Sequence, residues 1–135
     1  MKKYFIMAFC LLVSCQPSSL EEFSVEGEGQ GRLLLKELRE IASREDLVFA
    51  EPLLKKRFEK MVDLMIQART FEQKNPGTEG RGFTGNGVLN AALKEELERV
   101  YSLEGGRECI ERAQKEAMLR LDAKERSLEK QKRNH

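Results

Sequence analysis

The chain has a single histidine, and it is the final residue, His135. Metal centres need clustered His, Cys or carboxylate ligands, and the familiar serine and cysteine nucleophiles need a base within hydrogen-bond reach. Neither chemistry has its parts here, so no catalytic residues, metal or other cofactor are expected. Strand signals are equally scarce: no segment alternates apolar and polar residues, and β-branched residues thin out after Ile66. Net charge is lacking as well, since 24 basic residues face 23 acidic ones. That balance gives no global attraction for nucleic acid. The acidic pair Glu95 and Glu96 stands beside Lys94 and Arg99 at helical spacing, which reads as a solvated face rather than an acid–base pair.

What is present begins at the amino terminus. Lys2 and Lys3 precede an apolar run over residues 4–13, and Ser14, Cys15, Gln16 and Pro17 end it abruptly. An export signal needs a cationic end, an apolar run that enters the translocon, and small residues that leave the cutting site accessible. As a helix at about 1.5 Å per residue, this run reaches about half of a ~30 Å hydrocarbon core, too little for a stable span. Leu12, Val13, Ser14 and Cys15 resemble the lipobox of a bacterial lipoprotein signal peptide, cut by signal peptidase II. The resemblance covers roughly the first 16 residues. It implies cleavage between Ser14 and Cys15, a diacylglyceryl thioether on Cys15 and a further palmitate-like acyl chain on the new amino group. Several chains on one residue hold firmly where a single myristoyl chain is marginal. In a diderm bacterium, Gln16 is compatible with the outer membrane, with the protein facing the periplasm.

Removing residues 1–14 takes Cys10 and both leading lysines with it and leaves one domain's length of chain. Cys109 is then the only thiol besides the lipidated one, so no intramolecular disulfide framework exists and folding rests on packing. Burial is the favoured fate of Cys109, beside the pair Gly105 and Gly106; pairing between chains is the alternative. The acidic residues concentrate over residues 20–51 and the basic ones over 111–135, so the two ends can attract each other or the tail can touch anionic lipid.

Residues 15–31 combine Pro17, three serines and Gly27, Gly29 and Gly31 without a sustained apolar period, and so are expected to be a flexible tether after the lipidated cysteine. A helical domain follows over residues 32–133. Leu34, Leu38 and Ile41 mark a first helix near residues 30–45. Pro52 suits a first helical turn, and Leu54, Phe58, Met61, Met65 and Ala68 carry a second helix to about residue 73. The apolar arc of that helix is wide enough to touch two neighbours. Residues 75–87, with Pro76 and five glycines, form a Gly-rich loop. Leu89, Leu93, Leu97 and Val100 carry a third helix that stops at Gly105 and Gly106. Ile110, Ala113, Ala117 and Leu121 carry a fourth that is expected to project or fray beyond Leu121. The fold class is all-α, a small antiparallel bundle of three or four helices.

Gly80, Gly82 and Gly85 spell G-x-G-x-x-G, but a helix precedes them where a dinucleotide site needs a strand. Flexibility is the plainer reading. Arg81 and Phe83 on the same loop offer a cation and an aromatic ring that a partner could grip. Met61, Met65 and Met118 could line an adaptable groove for a peptide or lipid chain, although at helical spacing methionine is more often core. The expected function is that of a membrane-anchored, non-enzymatic envelope protein that binds or scaffolds another envelope protein. The alternative is a small carrier that holds a lipid or peptide between its helices.

Overall fold

The computed structural model describes residues 19–77 and 86–134. Four helices make up nearly all of them: α1 (Leu20–Arg39), α2 (Arg44–Lys74), α3 (Gly87–Tyr101) and α4 (Gly106–Arg133). No strand occurs among the described residues. The helical bundle expected from the periodicity is the architecture found.

Its boundaries depart from expectation in four places, each with a local cause. α1 starts at Leu20, so residues 20–31 are helix and not tether. The Ser19 hydroxyl caps it by accepting the Glu22 amide at 3.2 Å, and Glu21 and Glu22 face the positive end of the helix dipole. Phe23 is then buried with Leu64 and Ala68 in a small second core, its ring edge-on to Phe71 at 6.0 Å. Gly27 and Gly31 continue the spacing that leads from Leu20 and Phe23 to Leu34 and Leu38, with no side chain to reveal it. At Gly31 a Cβ would meet Leu89 Cδ2 at 3.1 Å, so the bare backbone of α1 is where α3 comes close.

α1 ends at Arg39 rather than near residue 45, and α2 starts at Arg44 rather than at Pro52. Ser43 and Asp46 form a reciprocal capping box that fixes the new start, and Asp46 also accepts the Ala42 amide at 2.9 Å. Pro52 thus lies inside a continuous helix of 31 residues, on its exposed side. Finally, α4 does not fray past Leu121. Arg69 and Glu125 pair at 3.3 Å, and the Gln73 and Gln131 amides are hydrogen-bonded, which keeps the last turns of α4 against α2.

The core gathers Leu34, Leu38 and Ile41 with Leu54 and Phe58 of α2, Val100 of α3, and Ile110, Ala113 and Ala117 of α4. α2 touches α1 on one side and α4 on the other, as its wide apolar arc requires. Each sequential pair, α1 with α2 and α3 with α4, is an antiparallel hairpin. Between hairpins the neighbours are parallel: Cys109 and Glu125 of α4 follow Leu47 and Arg69 along α2, while Asn86 and Arg99 at the two ends of α3 meet Glu28 and Leu38 of α1. α2 and α3 therefore stand across the bundle from each other, joined by residues 75–86.

Candidate functional site

Because the backbones of α2 and α3 do not approach each other, a groove of about 650 Å³ remains between them, floored by α1. The floor is small residues, Ser24, Gly27 and Gly31; the walls are Met61, Met65 and Ala68 from α2 and Leu89 and Leu93 from α3. The glycines that disguised α1 as a tether line this floor, and at Gly31 the missing side chain lets Leu89 and Leu93 of α3 close on α1. Two of the three methionines singled out by residue type meet here. Met118 does not, being exposed on α4.

The remaining lining is polar and already held. Glu28 accepts from Asn86 Nδ2 at 2.8 Å and pairs with Arg32 at 2.6 Å, while Oδ1 of the same Asn86 caps α3 by accepting the Val88 and Leu89 amides. Glu72 is buried, with Arg69 at 3.7 Å as its counter-ion, and Arg69 reaches Glu125 as well. Asn90 is exposed beside them. Counting the partners, three carboxylates, Glu28, Glu72 and Glu125, against two guanidiniums, Arg32 and Arg69, leave the lining with a net negative charge. The groove can take an apolar chain in its trough and offer amide hydrogen bonds, and it repels an anionic head group.

Two arginines set the spacing of the helices around it. Arg99 donates to the Leu38 and Ile41 carbonyls at 2.7 and 2.6 Å, the former also accepting the Ile41 amide at 3.1 Å, and pairs with Glu96 at 2.7 Å. Residues 96 and 99 are thus a clamp on α1, not the solvated face their spacing suggests. Arg57 binds Glu37 through both Nε and Nη2 and donates to Gln30 at 2.7 Å, joining α1 to α2 in a half-buried site. Both contacts bridge segments far apart in sequence, which local spacing cannot announce.

Cys109 is 2% exposed, its thiol donating to the Leu47 carbonyl at 3.7 Å. Of the two fates open to it in the sequence, burial is the one found. Removal from water chiefly, and then the negative Glu51, push the thiol up from its ordinary 9.0, with Arg112 opposing. The folded thiol is therefore a poor nucleophile.

Ser14, Cys15, Arg81, Phe83, the three motif glycines and His135 lie outside the described residues. Among the described residues no His, Cys, Asp and Glu side chains cluster as a metal site would require, and no helix is long and apolar enough to cross a membrane. No protein-family description, curated protein or solved structure matches this chain.

Proposed function

We propose that this chain is a lipid-anchored, non-enzymatic protein of the bacterial cell envelope whose helical domain binds an apolar peptide segment of another envelope protein. The anchor reading is supported by Lys2, Lys3, the apolar run and the Ser14–Cys15 junction, with acyl chains on Cys15 fastening the domain to the bilayer, on the periplasmic face of the outer membrane in a diderm cell.

The groove carries the binding reading. Its trough is deep enough for apolar side chains, and its methionines adapt to more than one sequence. A peptide fits better than a phospholipid, because the lining has a net negative charge and its one cation, Arg69, is already shared between Glu72 and Glu125. Free backbone groups of an extended segment would find the exposed Asn90 at the rim.

A photo-crosslinking residue placed at Met65 in cells tests this directly. The expected product is a covalent adduct to a peptide of one envelope protein, lost when Leu93→Lys blocks the trough. An adduct to lipid alone would favour the carrier reading, in which the groove holds an acyl chain. The anchor is tested separately by the mass of the mature amino terminus, which should carry diacylglycerol on Cys15 and should shift to the unprocessed mass in Cys15→Ser.

A further inference from the structure

Among the large apolar side chains exposed on this bundle, Val25, Leu33 and Val88 stand apart and Met118 and Leu119 form a pair, while one larger group lies on α2. Val48, Phe49 and Leu53 are 70%, 81% and 54% exposed, and exposed Pro52 lies among them. At 100° per residue, positions 45, 48, 49, 52, 53 and 56 form one stripe on the side of α2 opposite Leu47, Leu54 and Phe58, which face the core. The stripe opens with Glu45 and closes with Lys56, both exposed. The neighbouring charges of α2 are engaged elsewhere, Arg44 with Glu104, Lys55 with Glu116 and Arg57 with Glu37, whereas Glu45 and Lys56 make no ion pair among the described residues.

This order of residues is complementary to its own reverse. Laid antiparallel on a second copy, with a two-fold axis level with residues 50 and 51, it sets Glu45 against Lys56 at both ends, gathers Phe49 and Pro52 of the two copies at the centre, and leaves Val48 and Leu53 to cover the two flanks. An isologous contact requires that self-complementarity, and a chance apolar patch lacks it. We propose that the outer face of α2 is a self-association surface on which two copies of this chain pair antiparallel through these six residues.

The patch is small beside the roughly 1,200–2,000 Å² of a standard stable interface, so the pairing is weak in dilute solution. Confinement on a membrane raises the effective concentration and favours it. Given the anchor proposed above, the geometry adds a constraint. Leu20 starts α1 beside Phe71, ~33 Å along α2 from Phe49, so the stripe is remote from the anchored end. In the antiparallel pair the two anchored ends are then roughly 60 Å apart, and both reach one bilayer only when the pair lies along it.

Sedimentation equilibrium of the full mature protein in density-matched detergent micelles tests the pairing. A monomer–dimer equilibrium is expected, with Phe49→Ala driving it to monomer. Glu45→Lys and Lys56→Glu should each weaken the dimer about tenfold, and the double variant should recover most of that loss because both pairs are restored in reverse. A wild type that stays monomeric throughout, or a double variant no tighter than either single one, overturns the proposal. The chain has no tryptophan, so Phe49→Trp supplies one reporter. Emission that shifts blue with protein concentration supports pairing; emission that shifts only when phosphatidylglycerol vesicles are added assigns the stripe to membrane contact and also overturns it.

Discussion

The two ends of the bundle are built from the same four helices and behave as different materials. At one end the links are short, Ile41 is buried between α1 and α2, Arg99 clamps two carbonyls of α1, and Leu38, Leu54, Val100 and Ile110 are shut away from water. At the other, the connection is the long one over residues 75–86, the core shrinks to Phe23, Leu64 and Ala68, and the groove opens between α2 and α3. The long connection leaves two of the helices free to stand apart. The chain thus concentrates its buried core at one end and leaves an open groove at the other.

Glycine substitutions offer the sharpest way to break the contrast. At Gly106 an added Cβ would stand 1.8 Å from the Val100 carbonyl oxygen, so backbone has to move, and Gly105 beside it holds φ at +77°. Gly106→Ala should cost about 3 kcal/mol or more in urea unfolding. The same change at Gly29, exposed on α1 with nothing within 4 Å of the new atom, should instead stabilise by up to about 1 kcal/mol, since alanine is the better helix former. Equal losses at both positions would erase the distinction between the two ends.

Arg99→Ala is the next largest. It removes two charge-assisted bonds at the closed end, leaving the Ile41 carbonyl without its arginine donor and the Leu38 carbonyl with the Ile41 amide alone, and should cost about 2 kcal/mol. Arg99→Lys should recover little of that, because one ammonium cannot reproduce the two directed guanidinium bonds.

These positions also mark how far the sequence could be read. The four apolar stripes and the stop at Gly105 and Gly106 were legible, because helical spacing and glycine turns are local signals. The first twelve residues of α1 were not, since a stripe that continues through Gly27 and Gly31 has no side chains to count. The capping box at Ser43 and Asp46 was equally local, yet Pro52 stood out more as a helix start. Arg99 and Arg57 act across long stretches of chain and leave no trace in spacing. The groove was half legible: methionine suggested it, but its floor depends on residues 24–31 being helical.

A smaller effect concerns pH. The folded Cys109 thiol titrates above its ordinary 9.0, while the unfolded one does not, so the unfolded state releases its proton first as pH rises. Stability should be flat with respect to this group below about pH 8.5 and should fall above it, until the folded thiol itself ionises. In urea titrations over pH 7 to 10, Cys109→Ala should lose that decline while carrying a constant deficit of its own.

The smallest change in stability is expected at the open end, and there it is the informative result. Met65 is half-buried on a groove wall, so a lysine can run its methylenes along Leu89 and Leu93 and place its ammonium among Glu28 and Glu72. Met65→Lys should therefore lower stability to urea by less than about 1 kcal/mol while filling the trough and abolishing the peptide capture proposed for it. A loss as large as that of Gly106→Ala would mean that Met65 is core, with α2 and α3 depending on each other after all. A stable protein that no longer binds would place stability and binding at opposite ends of one bundle.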